Sequence, residues 1–198
     1  VCGSLQHWLG IDHTAFIFGS ATYLIPILAS ESTRRREKPT HFGLANRITL
    51  LRGILISSVA CLVGFNPNSD VALAVSATAM LALIMDGLDG FVARKTGTCT
   101  LYGAQLDMEF DAIFMLLLCI LVYQWNHAGA WVLFGGLTRY IWVLVQLWLP
   151  WFNRPLPPEP AFRRKTACVL GVGGLTLALF PWPWSSLNTG LAGVANLA

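Results

Sequence analysis

The chain has 198 residues, of which 55% are hydrophobic and only 12% are charged. Soluble globular proteins carry about 25% charged residues, so this composition excludes an ordinary soluble domain and indicates that lipid is the solvent. The formal net charge is +3, and the basic residues form clusters that alternate with loops lacking them. A nucleic-acid-binding protein would instead spread such residues over one soluble face.

Apolar stretches follow one another along the chain and are joined by short polar connections. The first ends at the basic stretch 31–41, whose Arg34, Arg35 and Arg36 we interpret as a topology signal and a lipid-surface patch. With the N-terminus outside, every basic cluster falls on the opposite side of the membrane, as the positive-inside rule requires. The predicted fold class is an all-α, polytopic transmembrane helical bundle. It has seven spans, at 14–30, 44–65, 71–85, 111–125, 130–151 and on either side of a proline-rich break at 181–184 within 166–198.

Four aspartates at the junction of the third and fourth predicted spans carry the strongest chemical signal. Asp86 and Asp89 are three residues apart, so they share one face of a helix. Asp107 and Asp111, four apart, do the same. The connection between the pairs is short, so two adjacent helix ends would bring four carboxylates together, and like charges that close cannot all stay ionised without counter-charges. Because the ligands are oxygens, with no His or Cys nearby, the pattern predicts a Mg²⁺ or Mn²⁺ site.

Small residues and one arginine accompany the aspartates. Gly90 and Ala93 remove bulk beside the first pair, and Gly103 opens the opposite helix one turn before the second pair. This leaves room for a flat or anionic ligand against the backbone, and Arg94 adds a planar cation suited to phosphate. Together these features indicate phosphoryl-type transfer that involves a lipid.

The spacing of these residues resembles the signature of the CDP-alcohol phosphatidyltransferase family, D-x2-D-G-x2-A-R-x8-G-x3-D-x3-D. Upstream, Asn46, Thr49 and Arg52 fit the N-x2-T-x2-R pattern of the first core helix in many members. The resemblance covers 44–198 and implies six core helices there, preceded at 1–43 by an N-terminal hydrophobic helix and a basic juxtamembrane segment. The signature is matched at every fixed position, by Asp86, Asp89, Gly90, Ala93, Arg94, Gly103, Asp107 and Asp111.

The resemblance implies transfer of a phosphatidyl group from CDP-diacylglycerol to an alcohol, with release of CMP. The four aspartates would hold a two-metal Mg²⁺ or Mn²⁺ centre, and Asp111 would also act as the general base. It further implies a multi-pass membrane protein that contacts membrane lipids and forms a homodimer. The basic clusters place the active site on the cytoplasmic side of the inner membrane, and their pattern argues against binding of nucleic acid. The residues expected to hold the CDP moiety are Asn46, Thr49, Arg52, Gly90, Ala93, Arg94 and Gly103.

The sequence leaves the acceptor alcohol open. Arg139 lies within an apolar run, where an unpaired charge is costly, and Arg163, Arg164 and Lys165 precede the next span. These cations favour a phosphorylated or otherwise anionic acceptor, such as glycerol 3-phosphate or an inositol phosphate. Phosphatidylglycerophosphate synthases, however, usually read Asp-Pro-x-Ala-Asp-Lys around the last two aspartates, where this chain reads Asp-Met-Glu-Phe-Asp-Ala. That departure weakens the case for glycerol 3-phosphate.

Three other interpretations stay open. Intramembrane carboxylates can line a cation or proton path, as in a non-enzymatic transporter, although a transporter has no need of the glycine, alanine and arginine spacing. A CDP-amino-alcohol phosphotransferase acting on diacylglycerol would use the same signature. An inactive relative that serves as a scaffold would also keep the fold.

Overall fold

The computed structural model describes residues 13–37, 43–65, 67–96, 100–149, 161–181 and 193. Over this part of the chain there are six α-helices and no strands, so the predicted all-α class is confirmed. The helices are α1 (His13–Glu37), α2 (Leu44–Cys61), α3 (Ser69–Thr96), α4 (Leu101–Gln124), α5 (Val132–Trp148) and α6 (Ala161–Leu179).

Two of the helices contain segments that are long and apolar enough to cross a membrane, His13–Arg36 in α1 and Ser69–Val92 in α3. Helix α5 and the later part of α6 are apolar but shorter. Many large apolar side chains of α1, such as Phe16 and Leu28, are exposed, as expected where lipid covers the surface. The number of seven spans stays a prediction, because most of the last predicted span lies outside the described residues.

Helix α1 continues beyond the first apolar run into the basic stretch, which we interpreted as a juxtamembrane segment. Glu31 lies one turn before the arginines, and its carboxylate accepts from Arg34 Nε at 2.6 Å and from Arg35 Nε at 3.1 Å. Such pairs, three and four residues apart, support a helix at its surface. The apolar span therefore ends before the helix does. Residues 38–42 lie outside the described part of the chain.

The helices that carry the aspartates are also longer than the predicted spans 71–85 and 111–125. At the start of α3, Asn68 Oδ1 accepts a hydrogen bond from Val71 N at 2.7 Å. At the start of α4, Thr100 Oγ1 accepts from Gly103 N at 3.0 Å. These side chains satisfy backbone donors that the first helical turn leaves unpaired. Helices α3 and α4 hold all four aspartates, as the spacing of the two pairs predicted.

The chain forms two compact units, Val1–Ile113 and Phe114–Ala198. In the first unit, α2 packs against both α1 and α3. The apolar contacts are close, because the side chains of Ile56 and Val59 on α2 and of Val75 on α3 are fully buried. Apolar burial of this kind is the main source of stability in a packed helical layer.

In the second unit, α4 and α5 approach closely at Gly136, where a Cβ atom would lie 2.7 Å from Leu116 Cα. The turn after α4 contains Asn126 at a φ of 57°, a left-handed conformation that asparagine tolerates. Next to it, His127 Nδ1 lies 2.6 Å from the carbonyl oxygen of Ala178 and so ties this turn to α6.

Candidate functional site

Three of the four predicted metal ligands come together in the first unit. Asp86 projects from α3, and Asp107 and Asp111 project from one face of α4. One carboxylate oxygen from each lies within 4.8 Å of the other two. The four-residue spacing on α4 gives the second pair its shared face, as predicted from the sequence. We call these three side chains the carboxylate cluster.

Arg52 of α2 reaches the carboxylate cluster from a third helix. Its Nη1 donates to Asp86 Oδ1, and its Nη2 lies 2.8 Å from Asp107 Oδ1 and 3.1 Å from Asp111 Oδ1. The guanidinium is thus hydrogen-bonded to carboxylates from two other helices. The sequence placed Arg52 in the nucleotide group, not among the carboxylates. A buried arginine requires counter-charges, and the aspartates were the signal that could have revealed this contact.

Burial differs sharply between the cation and its partners. The Arg52 side chain is 1% exposed, whereas those of Asp86, Asp107 and Asp111 are 13%, 23% and 29% exposed. The guanidinium therefore lies on the buried side of the carboxylate cluster, and the carboxylates keep an open side. Among these four side chains negative charge remains in excess, which suits a divalent cation.

The donor set of the carboxylate cluster fits a hard metal ion. Mg²⁺ binds oxygen ligands at about 2.1 Å, so two ligands of one ion are at most about 4.2 Å apart. Oxygens within 4.8 Å of one another need only small side-chain adjustments to reach that spacing. All the donors are carboxylate oxygens, as Mg²⁺ and Mn²⁺ prefer.

Asn46 and Thr49 lie on the face of α2 that also presents Arg52, and both are buried. A Cβ atom on Gly103 would lie 2.5 Å from Asn46 Oδ1 and 3.0 Å from Thr100 Oγ1. Glycine at 103 is therefore what lets α4 approach the polar face of α2. The structure thus brings together Asn46 and Gly103, two members of the predicted nucleotide group. Two turns further along the same helices, Gly53 of α2 meets Phe110 of α4.

The Gly53–Phe110 contact is the second close approach between α2 and α4. A Cβ atom on Gly53 would lie 2.5 Å from Phe110 Cζ and 3.1 Å from Tyr23 Cε2. The rings of Tyr23 and Phe110 are 6.1 Å apart between centroids, at 46° to each other. Arg52 is next to Gly53, and Phe110 is next to Asp111. The contact therefore fixes the distance between the cation and the carboxylates of α4.

Helix α1 also touches the helix that carries the carboxylates, a contribution that the sequence did not indicate. Thr33 Oγ1 donates to Gln105 Oε1, and Gln105 Nε2 donates to the carbonyl oxygen of Ala29 at 3.5 Å. Gln105 lies two residues before Asp107 on α4. Thr33 lies within the basic stretch, and neither its residue type nor its distance from Gln105 along the chain signals this contact in the sequence.

Other predicted site residues lie on described helices, but the structure does not describe all of their side chains. Gly90 is half-buried on α3, and Arg139 is half-buried on α5 in the second unit. The side chains outside the described part are those of Asp89, Ala93 and Arg94 on α3 and of Arg163, Arg164 and Lys165 at the start of α6.

Comparison with known proteins finds relatives that are similar to part of the chain. It is 31% identical over 94 residues to the CDP-diacylglycerol–glycerol-3-phosphate 3-phosphatidyltransferase of Wigglesworthia glossinidia brevipalpis, covering 48% of this chain and 50% of that protein. The enzyme of the same name from Pseudomonas fluorescens is 32% identical over 90 residues, with 46% and 45% covered. A CDP-diacylglycerol–serine O-phosphatidyltransferase from Methanocaldococcus jannaschii is 54% identical over 33 residues, with 17% and 16% covered.

The chain therefore spans about half the length, or less, of the curated relatives it matches. No solved structure matches it. The family model described as CDP-alcohol phosphatidyltransferase matches residues 42–197. This match extends over most of the sequence and includes the carboxylate cluster. The resemblance inferred from Asp86 to Asp111 is thereby confirmed, and the chain belongs to the CDP-alcohol phosphatidyltransferase family.

Proposed function

We propose that the protein transfers the phosphatidyl group of CDP-diacylglycerol to the hydroxyl of a phosphorylated or otherwise anionic alcohol, with release of CMP. The observation that carries the proposal is the convergence of Asp86, Asp107 and Asp111, from two helices, into one cluster with an open side. Carboxylates so arranged suit a metal-dependent reaction of a diphosphate at a membrane surface. The family match supports the same reaction class.

In this proposal the carboxylate cluster holds Mg²⁺ or Mn²⁺, and Asp89 completes a two-metal centre. A bound divalent ion would neutralise charge on the diphosphate and on the departing CMP. The protein's own part is to supply oxygen ligands on two packed helices and to orient the substrate between them.

Asp111 acts as the general base in the proposed reaction. Its side chain is the most exposed of the carboxylate cluster, so it is the one best placed to meet an acceptor hydroxyl. It removes the hydroxyl proton as the acceptor oxygen forms a bond to the phosphorus that carries the lipid. The bond between that phosphorus and the CMP oxygen breaks, and CMP leaves with the bonding electrons.

The CDP moiety is held by residues beside the carboxylate cluster. Asn46 and Thr49 supply polar groups from α2, and Gly103 keeps the facing surface of α4 free of a side chain. Gly90, Ala93 and Arg94 complete this group in the proposal, with the arginine directed to phosphate.

Arg139 and the basic cluster at 163–165 are proposed to contact the acceptor. Two of the relatives are named for glycerol 3-phosphate, so this is the first acceptor to test. An inositol phosphate is the second, because the sequence around the last two aspartates departs from the usual phosphatidylglycerophosphate synthase pattern.

The proposed arrangement in the membrane is a domain of six core helices at 44–198, preceded by the hydrophobic helix and basic segment of 1–43. The N-terminus is outside, and the active site faces the cytoplasm from the inner membrane. The two apolar segments of spanning length support membrane embedding. A homodimer is expected from the family resemblance, and light scattering of the purified protein would test it.

The central experiment follows CMP release by purified protein in detergent with CDP-diacylglycerol, Mg²⁺ and a panel of alcohols. We expect release with glycerol 3-phosphate or an inositol phosphate, little with glycerol or inositol, and none after chelation. CMP release from CDP-choline or CDP-ethanolamine with diacylglycerol would instead favour the amino-alcohol alternative. Cation flux in proteoliposomes without CMP release from any donor would favour a transporter and contradict the proposal.

A further inference from the structure

Arg52 has the contacts of a residue that organises the carboxylate cluster rather than one that binds nucleotide. Its two terminal nitrogens donate to carboxylate oxygens of Asp86 and Asp107, and Nη2 also forms an ion pair with Asp111 Oδ1 at 3.1 Å. The same Nη2 lies 3.4 Å from the Asp107 carbonyl oxygen. Each of these carboxylates would be a metal ligand in the proposed function. One cation thus contacts every described ligand of the expected metal.

The burial pattern separates the two sides of the carboxylate cluster. The Arg52 side chain is 1% exposed, while the side chains of its three partners are 13% to 29% exposed. A nucleotide-lipid approaching from the open side meets the carboxylates first, and the guanidinium lies behind them. The guanidinium is engaged by these carboxylates and is not exposed on that open side. Direct nucleotide binding is therefore the weaker assignment for this residue.

The position of Arg52 is fixed from both sides along α2. Gly53 lies seven positions after Asn46 on α2, and Phe110 lies seven positions after Gly103 on α4. These residues form the two close approaches between α2 and α4. Arg52 lies between them, so its guanidinium has little freedom to move. Packed helices that meet at glycine contacts hold their side chains in a single arrangement.

We infer that Arg52 is a positioning residue that forms the buried floor of the metal site and orients Asp86, Asp107 and Asp111 towards the ion. Partners that hydrogen-bond to metal ligands fix ligand orientation, and their loss costs about 10- to 100-fold in metal affinity. The planar guanidinium suits this task because it can serve several carboxylates in one plane. The inference rests on the proposed function and assigns to Arg52 a role in it other than nucleotide binding.

Mn²⁺ binding to the purified protein without any lipid substrate tests the inference, with free Mn²⁺ followed by electron paramagnetic resonance. We expect Arg52→Gln to weaken Mn²⁺ binding by about 10- to 100-fold. Arg47→Gln is the matched control, because Arg47 lies on the same helix, is exposed, and is assigned no part in the site. It should bind Mn²⁺ as the wild type does. Unchanged or tighter Mn²⁺ binding by Arg52→Gln would overturn the inference.

A second measurement separates positioning from nucleotide binding. At Mn²⁺ concentrations that saturate each variant, Arg52→Gln should bind CDP-diacylglycerol within about threefold of wild type, about 0.7 kcal/mol. A large loss of CDP-diacylglycerol affinity under these conditions would show that Arg52 binds the nucleotide and would overturn the inference.

Arg52→Lys covers the case in which Arg52→Gln does not fold. A lysine ammonium is a point charge that cannot bridge three carboxylates in one plane, so Mn²⁺ binding should still weaken by at least about threefold. Wild-type Mn²⁺ affinity in this variant would overturn the inference. CMP release by the wild type answers the separate question of the proposed function. If the wild type releases CMP but the Arg52 variants bind Mn²⁺ as the wild type does, the transferase function stands and the positioning role of Arg52 is wrong.

Discussion

Gly103 and Asn46 face each other so closely that a Cβ atom on Gly103 would lie 2.5 Å from Asn46 Oδ1. Gly103→Ala must therefore rotate the buried Asn46 amide or move α4. Because the obstacle is the end of a side chain and not backbone, we expect a modest effect on stability. We expect a larger effect on CDP-diacylglycerol affinity, weaker by about tenfold or about 1.4 kcal/mol.

The measurement is binding of CDP-diacylglycerol at saturating Mg²⁺, alongside the thermal midpoint of each variant. Gly87→Ala is the control, since a Cβ atom there would meet nothing within 4 Å. It should retain wild-type affinity and, because alanine favours helix over glycine, wild-type or slightly higher stability. Equal CDP-diacylglycerol affinities of Gly103→Ala and Gly87→Ala would contradict the assignment of Gly103 and Asn46 to nucleotide binding.

Asp111 and Asp86 should differ in the step that their loss impairs. A general base acts on the acceptor hydroxyl, so Asp111→Asn should stop CMP release. Because Asp111 is the most exposed ligand of the carboxylate cluster and the other aspartates remain, CDP-diacylglycerol should keep most of its stabilising effect against heat in the presence of Mg²⁺. Asp86→Asn should lose both the activity and most of this stabilisation, because the diphosphate docks through the metal. Thermal shifts with and without chelator measure the difference. Retention of more than a few per cent of the activity by Asp111→Asn would exclude it as the base.

The sequence predicted the carboxylates better than the cation among them. Spacing along one chain segment determines that Asp107 and Asp111 share a face, and the family signature links them to Asp86. Whether Arg52 meets those carboxylates depends on which face α2 turns towards α3 and α4. That orientation results from packing at Gly53 and Gly103, which a single sequence does not reveal.

The ends of the helices were also predicted poorly, because they were inferred from where charged residues begin. The spans were placed where charge is absent, but a helix persists as long as its backbone groups find partners. Thr100 provides such a partner at the start of α4, and Glu31 pairs with arginines in the last turns of α1. Both helices therefore extend beyond their apolar parts.

The contact between Thr33 and Gln105 should couple α1 to the helix of the carboxylate cluster. Thr33→Val removes one hydrogen bond between the helices, and Gln105→Met removes that bond and the one to Ala29 O. The double variant should show a coupling energy of about 1 kcal/mol for the shared bond. Thermal or denaturant unfolding in detergent measures it. Thr22→Val is the control, because the Thr22 hydroxyl donates to Phe18 O within α1 at 2.8 Å. It should show no coupling with Gln105→Met, and an equal coupling in both pairs would contradict the expectation.

Arg139 should affect the acceptor and not the nucleotide-lipid. If it contacts an anionic acceptor, Arg139→Gln should raise the KM for that acceptor by about tenfold, or about 1.4 kcal/mol, and leave the KM for CDP-diacylglycerol unchanged. Steady-state CMP release with each substrate varied in turn measures both values. A rise in the KM for CDP-diacylglycerol alone would show that the assignment of Arg139 to the acceptor is wrong.

The proposed orientation in the membrane predicts which positions are accessible from each side. The basic clusters should face the cytoplasm, because positively charged connections are retained there. In a variant whose native cysteines are replaced, a single cysteine at Asn68 or Asn126 should react with an impermeant maleimide added to intact cells. A cysteine at Ser32, Thr98 or Pro157 should react only after the cells are opened, which controls for its reactivity. Thr98 lies between the two pairs of aspartates in the sequence. Labelling there from outside would therefore contradict the orientation and place the carboxylate cluster on the side opposite to cytoplasmic nucleotide-lipid headgroups.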